Sequence, residues 1–169
     1  PTVPADVATV LATLRSTAVV LDADDRVVKA SAPAYNLGVV RDGSLAIDEL
    51  AEMVRQVRRD GEIRERDMTL ERELAAPLSV HARVAPLSSR LVLALLEDRT
   101  RERRVEAVRR DFVANVSHEL KTPVGAIKLL AEAVEDASDD PEAVRRFAGR
   151  MLTEADRLTD LVQQVIELS

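Results

Sequence analysis

The stretch RLVLALLEDRTRERRVEAVRRDFVANVSHELKTPVGAIKLLAEAVED, residues 90–136, decides the fold, and its texture changes once, at Asp98. Before that point RLVLALLED (90–98) is a nearly continuous apolar run, the pattern of a central strand buried on both faces. Beyond it, from Thr100 to Val134, there is one Gly and one Pro. Apolar residues recur there as Val105, Val108, Phe112, Val116, Pro123, Ile127, Leu130 and Val134, in steps mostly of three and four. This spacing predicts a single helix of about 35 residues, ~50 Å long at 1.5 Å per residue. A sheet domain therefore hands over to a long helix at Asp98.

Working outward toward the C-terminus, the helix ends in EDASDDPE (135–142). Asp140 has the side chain of a good N-cap, and Pro141 suits the first position of a new helix. The second helix is expected to run to the end, with Phe147, Met151, Ala155, Leu158, Val162 and Val165 along one face. Two such helices joined by a short turn make an antiparallel hairpin. Each carries a wide apolar stripe that one hairpin alone cannot cover. Pairing with a second copy solves this as a four-helix bundle, so a homodimer is expected. The alternative is a hairpin packed on the chain's own N-terminal domain.

Toward the N-terminus the period is different. Residues 4–15 place Val7, Val10, Leu11 and Leu14 at helical spacing. Ala18–Leu21 and Val27–Ala30 flank Asp-Ala-Asp-Asp, the signature of a β-hairpin with an acidic turn. Residues 32–60 read as helix-rich and loop-broken, with IDELAEMVRQVRRD (47–60) as one amphipathic helix and Gly38, Gly43 and Gly61 as punctuation. From Glu62 the period tends toward two, imperfectly through Ile63, Met68, Leu70 and Leu74. It is clean through Leu78, Val80, Ala82 and Val84, with Ser79, His81 and Arg83 on the opposite face. The first 98 residues thus read β-β-α-α-β-β-β behind a leading helix, and the whole chain is α+β, with an antiparallel sheet followed by a long-helix hairpin. The expected organisation is a sheet domain over 1–98, a helical linker over 99–111 and the hairpin over 112–169.

Composition narrows the function. The 169 residues carry a net charge of -6, which argues against nucleic acid as the main partner. The absence of cysteine excludes disulfides and thiolate metal sites. Aromatic residues make up only 2%, a poor composition for caging a flat chromophore by stacking. No apolar run approaches the roughly 20 residues needed to cross a bilayer, and no signal peptide is visible. The chain begins at Pro1 without a Met, so a piece of a longer protein is expected.

The chemistry-bearing stretch is Phe112-Val-Ala-Asn-Val-Ser-His-Glu-Leu-Lys-Thr-Pro123. It resembles the H-box of sensor histidine kinases at nearly every position, and it lies in the first long helix of a hairpin, as in that family. A lone histidine on a helix is usually an idle surface residue; the matched residues around His118 reverse that reading. His118 falls between Val116 and Leu120, outside the core spacing, so it is expected to face solvent as a nucleophilic imidazole. The resemblance implies that His118 is the phosphoacceptor and that Glu119 is its acid/base partner. It gives Thr122, one turn on, the orienting of water for dephosphorylation of a partner's aspartyl phosphate, and Asn115 a contact to an ATP-binding domain. Pro123 lacks an N–H and crowds the carbonyl of Glu119, so a helix bend is expected just past the histidine.

The N-terminal half resembles a PAS sensor domain. Its marker is Glu97-Asp98-Arg99-Thr100, similar to the Asp-x-Thr junction of PAS-linked kinases, in which Asp98 and Thr100 would tie the helix start to the domain; the plain alternative is an ordinary capping turn. His81 reads as structural rather than as a haem ligand. The order of the whole chain looks like the phosphate-responsive sensor kinases of actinobacteria. That resemblance implies a membrane-anchored kinase acting on a winged-helix response regulator, with this chain its cytoplasmic portion. The family's nucleotide motifs, an Asn box and Asp-x-Gly-x-Gly, do not occur in these residues. ATP and Mg are thus expected to be used only in a full-length protein, with no cofactor or metal held here. Phosphorylation would come from its own or a separate ATP-binding domain, and this stretch alone would be inactive. A receiver domain is the expected downstream partner, nucleic acid is not, and any membrane contact would lie outside this chain. The rival functions are a stand-alone histidine phosphotransfer protein and a non-catalytic PAS dimerisation adaptor.

Overall fold

A computed structural model describes residues 4–13 and 16–168, and it divides into two compact units, 1–104 and 105–169. The first unit is built on a sheet. Strands β1 (Thr17–Leu21) and β2 (Val27–Ala30) pair antiparallel, with Val19 opposite Ala30 and Leu21 opposite Val27. Their acidic turn is closed by Asp22, whose Oδ1 accepts from the amides of Asp24 at 2.9 Å and Arg26 at 3.0 Å. Asp25 takes a left-handed φ of 60°, which Asp tolerates better than most residues.

Strands β5 (Arg64–Leu70), β6 (Leu78–Pro86) and β7 (Val92–Asp98) complete a five-stranded antiparallel sheet in the order β2-β1-β7-β6-β5. The apolar run that opened the sequence reading is therefore its middle strand. Val92, Ala94 and Leu96 of β7 face one side, where they join Val80, Ala82 and Val84 of β6 and the buried stripe Leu50, Met53, Val54 and Val57 of helix α3 (Asp48–Asp60). Leu93 and Leu95 face the other side, against Ala18, Val20, Leu91 and Leu11 of helix α1 (Ala5–Thr13). Both faces of the central strand are covered, as its unbroken apolar pattern requires.

Helix α3 forms because its apolar residues recur at i, i+3, i+4 and i+7. Acidic Asp48 and Glu49 open it and basic Arg58 and Arg59 close it, matching the helix dipole at each end. It stops at Gly61, whose φ of 73° only glycine adopts without strain; the Gly61 amide donates to the Val57 carbonyl at 2.8 Å.

Between β2 and α3 lie a short helix, α2 (Ala32–Asn36), and a small ribbon of β3 (Val40–Arg41) and β4 (Ser44–Leu45). The ribbon was not expected: two-residue strands are too short to show a period. Its turn is legible in Asp42-Gly43, both at positive φ (52° and 75°), the dipeptide that type I′ hairpins favour. Three apolar residues also depart from expectation. Ile63 precedes β5 and is half exposed, Leu74 lies in the following loop fully exposed, and Val10 of α1 faces outward; Leu14 lies outside the described residues.

Helix α4 (Thr100–Asp136) runs 37 residues and helix α5 (Pro141–Leu168) 28 residues. The turn between them uses the expected cap: Asp140 Oδ1 accepts from the Ala143 amide at 3.2 Å, and Pro141 takes the first helical position. Residues 105–168 form a helical hairpin, and Phe112, Val116 and Leu120 line one groove with Leu161, Val165 and Leu168. The inner face of α5 therefore passes through Leu161, whereas Val162, expected on that face, is 46% exposed. Helical secondary structure continues through Pro123, which is buried.

Candidate phospho-acceptor site

The site is arranged by helix geometry. Successive residues turn 100° about the axis, so His118 and Thr122 lie 40° apart and one turn from each other, whereas Glu119 is rotated 100° from His118. The structure follows this wheel. His118 is exposed, and among the described residues it has no hydrogen bond or ion pair. Asn115 and Glu119 turn toward α5, lining a groove with Leu161, Gln164 and Val165. Glu119 and Thr122 share the adjoining groove with Pro123, Arg157, Asp160 and Gln164. Four of the five H-box residues singled out from sequence thus line neighbouring grooves, and His118 stands beside them on the open surface. No hydrogen bond joins Glu119 to His118 among the described residues.

The α5 contributors Arg157, Asp160, Leu161 and Gln164 were missed from sequence. Their i, i+3, i+4, i+7 spacing is the available signal, since it marks one helix edge.

Asp98 and Thr100 form a compact hydrogen-bonded knot at the start of α4. Asp98 Oδ1 accepts from the Thr100 amide at 2.9 Å and from the Thr100 hydroxyl at 2.6 Å. The Ser79 amide donates to Thr100 Oγ1 at 2.9 Å, and the Arg99 amide donates to the Ser79 carbonyl at 2.7 Å. The last two bonds reach strand β6, which a local cap would not do. Hydrogen bonding from Thr100 holds the Asp98 carboxyl below its ordinary pKa. Among the described residues no group of three or more acidic or histidine side chains is placed to hold a metal.

Residues 108–169 match the His Kinase A (phospho-acceptor) domain. Over 158 residues the chain is 46% identical to the sensor-like histidine kinase SenX3 of Mycobacterium tuberculosis, covering 90% of this chain and 38% of that protein. The C-terminal part of this chain is a phospho-acceptor domain of the kind found in sensor histidine kinases.

Other sensor histidine kinases fit the same frame. SenX3 of Mycolicibacterium smegmatis is 41% identical over 155 residues, 89% of this chain and 40% of that protein. The sensor protein kinase WalK of Staphylococcus aureus is 40% identical over 78 residues, 46% of this chain and 19% of that protein. The chain thus spans 38–40% of the length of the SenX3 relatives it matches. In its sheet domain the middle strand is the last in sequence, and α2 and α3 lie between the second strand and the third long one. A solved PAS domain from the fruit-fly ELK potassium channel is similar at 15% identity and a TM-score of 0.47, covering 59% of this chain and 99% of that one. No described helix is long and apolar enough to cross a membrane.

Proposed function

We propose that His118 accepts a phosphoryl group from ATP and passes it to an aspartate of a response regulator. The observation that carries this reading is an exposed imidazole, free of partners among the described residues, on a rigid helix within the segment matching a phospho-acceptor domain. Neutral imidazole is nucleophilic at physiological pH, and phosphoryl transfer asks mainly for a nucleophile held in line and reachable. The N–P bond forms as the bond from the γ-phosphorus to the bridging oxygen breaks, ADP leaves, and the ring sheds its other N–H proton. Glu119, next in sequence, is the proposed acceptor of that proton; it requires a side-chain rotation from its groove toward His118. ATP and Mg are supplied by a catalytic domain that these residues do not include.

Thr122 serves the reverse direction by orienting a water against the regulator's aspartyl phosphate, supported by its place one turn from His118 on the same face. Asn115 meets the ATP-binding domain, and Pro123 bends α4 below the reactive ring. The active form is a homodimer whose paired hairpins make a four-helix bundle, and the chain is the cytoplasmic portion of a membrane-anchored sensor kinase.

The test is direct. The chain is mixed with an isolated ATP-binding domain from a relative and γ-labelled ATP, comparing wild type with His118→Gln. Acid-labile label on wild type alone is expected; label on neither, or on both, sinks the assignment.

A further inference from the structure

The exposed side of strands β5, β6 and β7 holds a charge cluster that the phosphoryl chemistry does not use. Its centre is His81, opposite Asp67 in the β5–β6 ladder and opposite Glu97 in the β6–β7 ladder. His81 Nδ1 lies 2.7 Å from Asp67 Oδ1, and Nε2 lies 3.6 Å from Glu65 Oε1. Glu65 also meets Arg83 Nε at 3.6 Å, and Glu97 meets Arg99 at 3.0 Å. The second oxygen of Asp67 is taken by the guanidinium of Arg103, in the first turn of α4. The charged groups around His81 are therefore Glu65 and Asp67 from β5, Arg83 from β6, Glu97 from β7, Arg99 from the joint between β7 and α4, and Arg103 from α4. Three carboxylates balance three guanidiniums when the ring is neutral.

From this geometry we infer that His81 makes the attachment of α4 to the sheet responsive to protons, with protonation of its ring loosening the Asp67–Arg103 pair. One carboxylate holds the two groups on its two oxygens, so a charge gained by the ring competes with Arg103 for Asp67 and repels it. The ring's second N–H also becomes a donor to Glu65. Imidazole is the side chain whose ordinary charge change falls between about pH 5 and 8. The element affected is the helix that carries His118, at its first intrahelical bond, where the Arg103 amide donates to the Arg99 carbonyl at 2.9 Å. The hydrogen bond from His81 already holds the Asp67 carboxyl below its ordinary pKa, consistent with a carboxylate that stays charged throughout this range.

The experiment is amide exchange by NMR on the whole chain, corrected for intrinsic rates. The protection of the Arg103 amide should fall about twofold to fivefold on acidification, the range an exposed ion pair can supply. The fall should share its midpoint with the His81 ring resonances. In His81→Gln the pH dependence should vanish while the Val84 amide in β6 keeps its protection. Asp67→Asn gives a second reading if the first variant is impaired: protection at Arg103 should be low at every pH. Constant Arg103 protection through the His81 titration overturns the inference. So does the same loss in His81→Gln, or a pH dependence that survives in Asp67→Asn. None of these readouts depends on His118 accepting phosphate.

Discussion

Arg58 and Thr122 illustrate two kinds of single-residue work, one in holding the sheet domain together and one in the proposed chemistry. From the last turn of α3, Arg58 donates through Nε to Asp25 at 2.7 Å and through its terminal nitrogens to the carbonyls of Arg90, at 3.2 Å, and Asp22. One guanidinium thus pins the β1–β2 turn and the β6–β7 turn to the same helix end. Arg58→Ala strands two carbonyls and a carboxylate, and urea unfolding should show a loss of about 1–3 kcal/mol, the range for hydrogen bonds to a charged group. Arg59, next in sequence and exposed, reaches only Glu52 among the described residues, at 3.8 Å, so Arg59→Ala is the neutral control. Thr122→Ala should leave phosphorylation of His118 in place and slow dephosphorylation of the regulator by about a hundredfold, the low end for a positioned proton-handling group. Unchanged dephosphorylation removes Thr122 from that role.

At the scale of elements, the turn between the hairpin helices offers the plainest prediction. Asp140 supplies the side-chain acceptor for the first free amides of α5, so Asp140→Ala should cost about 0.5–2 kcal/mol by thermal or urea unfolding, with Asp140→Ser nearly neutral. That cap was legible because capping is local: the side chain bonds a backbone group three residues on. The same holds for α3, with its four-residue apolar rhythm and Gly61, and for β6, with strict alternation from Leu78 to Val84. What escaped was decided over distance. Ile63 and Leu74 carry the same alternating chemistry as Met68 and Leu70, but the ladder with β6 begins at Arg64 and ends at Leu70, and pairing with a distant strand sets those limits. Val162 and Leu161 are equally apolar neighbours, and which one faces inward depends on how α5 rotates against α4. The H-box stands out as one local run of sequence, whereas the α5 residues that share its grooves do not, because nothing in Arg157 or Gln164 alone announces a groove.

Taken whole, the chain leaves much apolar surface open on its helices. Val105, Val108, Val113, Val124 and Leu129 of α4 and Leu152 of α5 are each more than half exposed. A soluble monomer rarely exposes so many large apolar side chains on one pair of helices. Sedimentation should therefore give twice the 18.6 kDa chain mass, and Leu129→Glu combined with Leu152→Glu should shift the species to monomer without loss of sheet signal by circular dichroism. A wild-type monomer at micromolar concentration argues against the paired bundle. The junction of sheet and helix sets a further condition on any such assembly. Strand β7, the middle of the sheet, ends at Asp98 and α4 starts at Thr100, so a single residue separates them. A joint this short has no slack to absorb torsion. Each helical residue added at Arg99 would turn the start of α4 by about 100° against β7, and insertions near seven or eleven residues would bring it back to within about 20° of its native phase. Length at this point acts as an angular setting, and natural insertions there should favour about seven, eleven or eighteen residues.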